Sequence, residues 1–563
     1  MNASRAAALA LAPALLALAP ARAAEDPVLP WMESKLEELA PELASRAEDP
    51  VLQLQLFVED AVDWTVAADR GSLVSEKSEN RRTLQANVVL GDSAFSSRRP
   101  LYWDETVPPN PGSAAALPVD AFSEKQADRA VRQAFFWALQ GARAHFARLK
   151  SERNALVAEE NAGLDLAPAA KADLVDTAGL APVDSAARAL LRGRILALSR
   201  RFLGIPWLHR SGIELSCAGE VARKAFSGLP ATRDVRRLCD LNVTVATSTD
   251  DGMILAQNRT WSFASVPRDV DTAAVGRAVD SLLLRLDSLR GAKVGEPYAG
   301  PVILDGPAAA VYVHEVLGHR LESHRLRKKT DGQTFLRKRG ESVAAPEFSL
   351  VDDPTVAEWD GEAVHGFYRV DEEGTPARRA ELVRDGKLVG FLDGRATLSP
   401  EDSSNGHGRG FPQISRMGTT ILATSKPVPR EELRARFLKA LAERGLPYGL
   451  VVHDLQEGYT LTGRSYPQTF RLHALSATRV WADGRPDELV RGVNLSGSPL
   501  SSLAQLVAAS DRMSLFNGWC GAENGWVPVS SIAPDLLFAT LEAEIQPTRS
   551  VPKPQLPPPE EKP

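Results

Sequence analysis

The feature that most constrains this chain is the string His314-Glu315-Val316-Leu317-Gly318-His319, which follows an apolar run from Pro301 to Val313. Asp305 is the only charged residue in that run. Two imidazoles on either side of a carboxylate are the residue types that a hydrolytic zinc site needs, because neutral nitrogens bind the metal and a free carboxylate serves as general base. The string therefore predicts a zinc hydrolase, and little else in the 563 residues points to chemistry.

The spacing of the two histidines predicts an irregular backbone. They are five residues apart, whereas the common zinc helix carries its histidines four apart on one face. On a regular α-helix five residues turn by about 500°, so the two rings would point about 140° apart. A π-bulge would bring them together, and Gly318 is the residue best able to yield. We therefore expect a distorted helix; the alternative is two unrelated histidines on an amphipathic helix.

Cysteine offers a candidate third ligand, since a catalytic zinc usually has three protein ligands and a water. Cys520 lies between Gly518 and Gly521, which predicts a tight loop, and a thiolate there would bind a metal strongly. The alternative is an isolated buried thiol. Cys217 and Cys239 rank below Cys520 as ligands, and they form either a disulfide in an oxidising compartment or two separate buried thiols.

Further motifs follow the histidine string in a fixed order. They are Asp371-Glu372-Glu373-Gly374-Thr375-Pro376, Leu382 to Leu392, Asn405-Gly406-His407-Gly408-Arg409-Gly410-Phe411-Pro412, and Ser415-Arg416-Met417. Together with Cys520-Gly521 this order resembles the TldD/PmbA family of metalloproteases, the "modulator of DNA gyrase" family, whose catalytic members carry a His-Glu-x-x-x-His string and a late Cys-Gly pair. The resemblance covers most of residues 50–545 and is strongest from residue 296 onward.

The resemblance implies a catalytic role for each residue of the site. His314, His319 and Cys520 would hold Zn²⁺, and Glu315 would take a proton from the attacking water and pass it to the leaving amine. It also implies a peptide substrate bound as an extended strand, and dimers of two like chains or of a catalytic and a non-catalytic chain. The second hypothesis is accordingly a non-catalytic partner or peptide-binding subunit. His324 stands where the family has an acidic residue, which leaves its role open.

A glycine-rich segment is a candidate for substrate binding. Gly406, His407, Gly408 and Arg409 would let backbone approach a ligand closely. We therefore predict that these four residues contact the substrate; the alternative is a plain surface loop.

The two ends of the chain predict export and a free tail. Residues 1–24 are typical of a secretory signal peptide, with Arg5 before the apolar stretch Ala6 to Ala19. That stretch is too short to span a bilayer comfortably, so we expect a periplasmic or secreted protein without stable membrane insertion. Residues 549–563 are rich in Pro and Glu and are predicted to be disordered. Between them we expect an N-terminal α/β domain over 25–292 and a C-terminal metalloprotease domain over 293–548.

Composition and periodicity predict an α+β fold, with a mixed N-terminal domain followed by a strand-rich catalytic domain that carries the histidine helix. A net charge of −6 gives no electrostatic case for nucleic acid binding. The hydrophobic pattern predicts helices at 125–160, 182–202, 270–289 and 430–443. It predicts strands at 61–68, 87–90, 213–215, 242–246, 252–256, 302–304, 310–312, 419–423, 450–453, 472–474 and 477–480.

Overall fold

The structure is a computed structural model that describes residues 26–101, 112–119, 122–155 and 163–546. The predicted signal peptide, 1–24, and the predicted tail, 549–563, lie outside these residues. The chain is mixed α and β with a strand-rich C-terminal part, which confirms the α+β fold class. Across the described ranges, no helix is long and apolar enough to cross a membrane.

The N-terminal half is one antiparallel sheet covered by helices. The strand order is β3-β2-β1-β4-β5-β6. The elements are α1 (Val28–Arg46), β1 (Val51–Asp69), β2 (Ser72–Leu90), β3 (Ser113–Leu117), α2 (Glu124–Asn154), α3 (Ser185–Ser199), a 3₁₀ helix (Arg200–Phe202), β4 (Arg210–Phe226), β5 (Leu229–Ser248), β6 (Ile254–Phe263) and α4 (Thr272–Gly291).

Alternation along the strands buries one face of this sheet under the helices. Leu56 and Val58 of β1 belong to a core shared with α1 and α2. Further along the same strand, Trp64 and Val66 belong to a core shared with α3 and α4. The carboxylates of Asp184 and Asp271 accept hydrogen bonds from the first backbone N–H groups of α3 and α4, which fixes where these helices begin.

A disulfide joins the neighbouring strands β4 and β5 of this sheet. Cys217 on β4 and Cys239 on β5 lie directly opposite each other, and their sulfur atoms are bonded. Both residues are buried in the core under α3 and α4. Of the two alternatives that the sequence left open, the structure has the disulfide, and Cys520 is left as a free, buried thiol.

The C-terminal half is built on a large mixed sheet. Its strand order is β13-β12-β9-β16-β22-β8-β17-β18-β19-β7, with β20 joined to β18 and β22, and β21 joined to β22. The elements are β7 (Lys293–Val294), β8 (Tyr298–Leu304), α5 (Gly306–Val316), a 3₁₀ helix (Gly318–Leu321), α6 (Ser323–Arg327), β9 (Phe348–Asp352), β10 (Glu358–Trp359), β11 (Glu362–Ala363), β12 (Ala380–Arg384), β13 (Lys387–Leu388), β14 (Gly408–Arg409), β15 (Ile414–Ser415), β16 (Thr419–Thr424), α7 (Arg430–Glu443), β17 (Tyr448–Thr460), β18 (Phe470–Trp481), β19 (Glu488–Arg491), β20 (Val493–Gly497), α8 (Pro499–Ala504), β21 (Leu506–Ala522) and β22 (Gly525–Ile545).

The helix α5 is the centre of the C-terminal core. It packs against β17, β21 and β22, and its residues from Ala308 to Val316 are all buried. The predicted strand at 310–312 is wrong, because these residues lie in α5. A short apolar run does not by itself distinguish a strand from a buried helix. Here Pro307 in the first turn and three consecutive alanines favour the helix.

The other predicted elements mostly fall inside longer ones. The strand predicted at 87–90 is the end of β2, and those predicted at 472–474 and 477–480 are a single strand, β18. The helix predicted at 430–443 is α7 with the same bounds. The helix predicted at 125–160 ends at Asn154, and part of the remainder lies outside the described residues. The lengths of the long strands were underestimated because their exposed parts carry few apolar residues.

Candidate metal centre

The histidine string changes helix type between its two histidines. His314 and Glu315 lie in the last turn of α5, which ends at Val316, and His319 lies in the following 3₁₀ helix. The expected π-bulge is therefore wrong. The direction of His319 is set instead by the end of the α-helix and the tighter 3₁₀ turn, which has three residues per turn. The two imidazole rings are nearly perpendicular, at 86°, with centroids 4.9 Å apart.

Gly318 is required by packing at this change of helix type. A Cβ atom on Gly318 would lie 1.9 Å from the Sδ atom of Met417, which is fully buried. The role inferred from sequence was backbone freedom, but the backbone of Gly318 is helical. The structure gives the physical reason as close contact with Met417.

Cys520 reaches the histidines from the other end of the domain. It lies on β21, three residues before Glu523 of the Glu523–Asn524 turn into β22, and it pairs with Val527. The expected tight loop is therefore corrected to a strand beside a hairpin turn. The flanking Gly521 is needed because the ring of Trp526 lies over it, 3.1 Å from where a Cβ would be.

The three candidate ligands converge on one point. The ligand atoms of His314, His319 and Cys520 all lie within 4.8 Å of one another, and each of the three residues is buried. The Sγ atom of Cys520 lies 3.3 Å from Nε2 of His319. In a tetrahedral zinc site with usual bond lengths this separation would be about 3.6 Å. Two imidazoles and one thiol are a zinc-type donor set, so the residues fit this metal.

Charges within the cluster shift its pKa values toward a thiolate. Burial opposes ionisation of Cys520, but the imidazoles of His319 and His314 outweigh it and hold the thiol pKa well below its usual value. Burial would lower the pKa of His319, but Cys520 and Glu322 raise it to about 10. The thiolate is the form in which cysteine binds a metal.

A buried carboxylate orients His319. The Oε2 atom of Glu322 lies 3.2 Å from Nδ1 of His319 and accepts a 2.7 Å hydrogen bond from Nε of Arg325. A carboxylate behind a metal-binding imidazole fixes the ring and strengthens the ligand. Burial opposes the charge of Glu322, but His319, Arg325 and Arg416 hold its pKa well below the ordinary value.

Arg416 connects this carboxylate to the strand that carries the thiol. Its Nη2 donates to the carbonyl oxygen of Cys520 at 2.5 Å, and its Nε lies 3.6 Å from Oε1 of Glu322. The side chain is fully buried. Sequence analysis gave Glu322 and Arg416 no role, although the acidic residue one helical turn after His319 was a usable signal.

The candidate general base sits in a close-fitting position beside β17. Glu315 is 6% exposed, and burial raises the pKa of its carboxyl group above the ordinary value. A Cβ atom on Gly458 would lie 2.7 Å from Cγ of Glu315 and 3.1 Å from Cγ1 of Val311. Gly458 therefore leaves the space that the Glu315 side chain occupies.

We expect Gly458→Ala to displace Glu315 while leaving the three ligands intact. A displacement of the base by about 1 Å would lower kcat by about 10²-fold, because proton transfer depends on its position. The measurement is kcat for peptide hydrolysis beside zinc content. Gly212→Ala, also in a strand but with no atom within 4 Å of the new Cβ, is the matched control. Unchanged kcat in Gly458→Ala would show that the Glu315 position is not critical.

The glycine-rich segment that was predicted to contact substrate is buried in the domain. Gly406, His407, Gly408 and Arg409 are all buried, and His407 is bound by Asp352 at 3.1 Å. A Cβ on Gly408 would meet the carboxylate of Glu373 at 2.2 Å, while Nη1 of Arg409 donates to the carbonyl oxygens of Met417 and Pro528. These contacts give the segment a structural role. Arg409 also lines a large cleft, and contact of the segment with substrate stays a prediction.

His324 contacts the turn that follows Cys520. Its Nε2 lies 3.1 Å from Oε1 of Glu523, and Lys328 and Arg325 also pair with that carboxylate. Burial lowers the pKa of His324 below its ordinary value. Burial thus favours the neutral imidazole, and the contact with Glu523 ties α6 to the β21–β22 turn.

The C-terminal half of the chain is similar to known metallopeptidases. A family model described as the PmbA/TldA metallopeptidase C-terminal domain matches residues 297–544, the part of the chain that contains all three candidate ligands. A metalloprotease of Methanothermobacter thermautotrophicus is 29% identical over 288 residues, 49% of this chain and 56% of the relative. A zinc metalloprotease TldD homolog of Saccharolobus solfataricus is 23% identical over 271 residues, 44% of this chain and 53% of the relative.

A solved structure extends the likeness to the N-terminal half. TldE from Thermococcus kodakarensis superposes with a TM-score of 0.59 and 13% identity, over 90% of this chain and 99% of that one, so it shares the fold. The family model and the curated relatives place residues 297–544 in the TldD/PmbA family. The chain spans about half the length of the curated relatives that it matches.

Proposed function

We propose that this protein is an exported zinc-dependent metallopeptidase that hydrolyses peptide bonds of unfolded or small peptides. The observation that carries the proposal is the convergence of His314, His319 and Cys520 within 4.8 Å, with Glu315 next to the first ligand in the chain. The names of the matched relatives support the reaction class, and one of them is named a zinc enzyme.

Each residue of the candidate metal centre has a proposed role. His314, His319 and Cys520 would hold the metal, and Glu322 would keep the His319 ring in place. When bound, zinc supplies a Lewis acid and makes water an effective nucleophile at neutral pH. The chain itself supplies orientation, because ligands and base are held between α5, the 3₁₀ helix and β21.

Glu315 would move the proton. Its carboxylate accepts a proton as water attacks the peptide carbonyl, holds it, and gives it to the leaving amine as the C–N bond breaks. Water is consumed, and one carboxylic acid and one amine are formed. The raised pKa of the buried Glu315 suits a group that must both accept and release a proton.

The burial of the centre supports the choice of substrate class. His314, Glu315, His319 and Cys520 are between 3% and 8% exposed. The convex surface of a folded protein could not bring a peptide bond to atoms this deep in a domain. A small peptide or an extended, unfolded segment could, and we assign the substrate to that class.

Removal of the metal is the experiment that tests this function. We expect purified protein to contain about one zinc per chain, to lose peptide hydrolysis when zinc is removed by a chelator, and to regain it when zinc is returned. The control is the far-UV circular dichroism spectrum, which should show that the chelated protein stays folded. Full hydrolysis by metal-free, folded protein would contradict the proposal.

Export is proposed on two observations. Residues 1–24 have the charge and hydrophobic pattern of a signal peptide, and the Cys217–Cys239 disulfide suits an oxidising compartment. We expect the native chain to be found outside the cytoplasm with an N-terminus near residue 25. Cell fractionation with N-terminal sequencing checks this, and a cytoplasmic chain that retains residues 1–24 would contradict it.

The quaternary structure is proposed to be a dimer, of two copies or of this chain with a family paralogue. The alternative function, a non-catalytic partner, needs neither ligands nor a base. This chain has three converging candidate ligands, with Glu315 next to His314 in the sequence, which supports the catalytic role. Light scattering on the purified chain, alone and with a co-expressed paralogue, distinguishes the two forms of dimer.

A further inference from the structure

A small cavity with basic walls lies beside the candidate metal centre. It has a volume of about 40 Å³ and is formed where a loop of the N-terminal domain meets α6 and the β21–β22 turn. Its charged walls are the side chains of Arg98, Arg99, Arg327 and Lys328, against Asp165 and Glu523. Lys328 and Glu523 are 15% and 24% exposed, so they form the outer side of the cavity.

The two acidic walls are already paired with cations. Asp165 accepts from Arg99 at 3.0 Å and also binds Arg327. Glu523 binds Lys328 and lies 3.1 Å from His324. The carboxylates that line the cavity therefore do not satisfy its remaining polar groups.

Two residues that line the cavity each have a buried polar atom without a partner among the described residues. Within the described ranges, Nη1 of Arg98 and Nδ1 of His324 make no hydrogen bond, although their side chains are 8% and 6% exposed. The other terminal nitrogen of Arg98 binds Glu373. A buried polar group without a partner costs about 1–3 kcal/mol, and such a pair is expected where a ligand completes the hydrogen bonds.

The two unpartnered atoms need different hydrogen-bond partners. Nη1 of Arg98 can only donate, so it calls for an acceptor. The cavity walls carry four cationic side chains against two carboxylates, which favours an anionic one. His324 faces the Glu523 carboxylate with Nε2, which therefore carries the proton, and the neutral ring offers Nδ1 as an acceptor. A ligand that completes both must present an oxygen anion and an N–H group side by side.

We propose that this cavity binds the C-terminal residue of a peptide, with the carboxylate accepting from Arg98 and the adjacent amide N–H donating to His324. The volume fits this chemistry. A cavity needs about 10–15 Å³ for one water, so 40 Å³ admits about three non-hydrogen atoms, the size of a carboxylate group. The amide N–H would lie toward the outer side, where Glu523 contacts His324.

The cavity is connected to the metal centre through charged contacts. Glu523 lies 3.5 Å from Arg325, Arg325 binds Glu322 at 2.7 Å, and Glu322 orients His319. The bound peptide end would therefore lie next to the residues that hold the centre. Whether it is the end of the substrate itself rests on the proposed function, and the second arm of the experiment decides this.

The first arm measures binding without any requirement for activity. The probes are N-acetylglycine, which has the carboxylate and the N–H, and N-acetylglycine amide, which lacks the charge. We expect N-acetylglycine to raise the Tm of the zinc-loaded protein in a saturable way and its amide to leave Tm unchanged. Equal effects of the two probes would overturn the proposal.

Two variants locate the effect in this cavity. Ala396→Val adds two methyl groups to the cavity wall without changing a charge, and Arg98→Gln removes the unpaired donor. We expect both to lose the Tm rise. Arg384→Gln, at an arginine whose side chain is 62% exposed, is the control that should keep it. A Tm rise that survives in Ala396→Val, which leaves the Arg98–Glu373 pair intact, would place the ligand elsewhere.

The second arm compares one peptide as its free acid and as its C-terminal amide. If the substrate's own end occupies the cavity, the free acid should have a kcat/KM about tenfold higher, as expected for one charge-assisted hydrogen bond, and the ratio should fall to about one in Ala396→Val. A ratio of one in the wild type overturns the assignment to substrate. If neither peptide is cleaved, the proposed function fails, while the first arm still decides whether the cavity binds a peptide end.

Discussion

Glu315→Gln is expected to lower kcat for peptide hydrolysis by about 10³-fold while the protein keeps its zinc. The substitution preserves the size of the side chain and its place beside Gly458, but an amide cannot accept the proton of the attacking water. General base catalysis contributes about 10²–10⁴-fold, so this loss is among the largest that a single substitution outside the ligands can cause. The measurements are kcat and zinc content on the same preparation.

A nearby acid supplies the control for this prediction. Glu457 lies on β17 next to Gly458 but is exposed, and Glu457→Gln should retain full activity and full zinc content. Peptide hydrolysis that survives Glu315→Gln would remove Glu315 from the mechanism. Loss of zinc in Glu315→Gln would instead show that this carboxylate is a ligand.

Cys520→Ala is expected to remove the metal as well as the activity. The thiol is 3% exposed, lies 3.3 Å from His319, and its pKa is held well below the ordinary value by the two imidazoles, which leaves it as the charged member of the ligand set. We expect zinc affinity to fall by more than the 10–100-fold typical of losing an outer contact, and zinc content to fall well below one per chain. Zinc titration against a competing chelator measures this.

The other two cysteines provide the matched control. A Cys217→Ala/Cys239→Ala double variant removes the disulfide, which lies in the N-terminal half of the chain. It should keep its zinc and its activity. Its stability should fall, because cross-links stabilise the folded chain by about 2–4 kcal/mol. Retention of zinc in Cys520→Ala would show that the third ligand is another residue.

Sequence reasoning identified the site because its chemistry is carried by rare residue types. The histidine string and the late Cys-Gly pair contain histidine and cysteine, which are rare in this chain, so their spacing could be examined directly. Cys520 was a candidate third ligand from the cysteine count and its glycine setting, and the family resemblance supported its meeting with His314. Nothing local relates two residues that are 206 positions apart. The fold class was likewise accessible, because long amphipathic helices such as α2 and α7 have a clear period.

The parts that sequence did not predict depend on packing between distant segments. At the change from α-helix to 3₁₀ helix, Gly318 allows the close contact with Met417, and Gly458 leaves the space that Glu315 occupies. Neither contact has a sequence pattern. The burial of the glycine-rich segment at 406–409, where Gly408 makes room for the buried Glu373, was not predicted either, because glycines are also typical of exposed loops.

The central claim is that two imidazole nitrogens and one sulfur from opposite ends of the C-terminal domain bind a single zinc ion. X-ray absorption at the zinc edge on the purified protein tests it most directly. The account predicts one sulfur neighbour at about 2.3 Å and two imidazole nitrogens at about 2.0–2.1 Å, with the sulfur signal lost in Cys520→Ser. A zinc spectrum with nitrogen and oxygen neighbours alone, unchanged by Cys520→Ser, would contradict it.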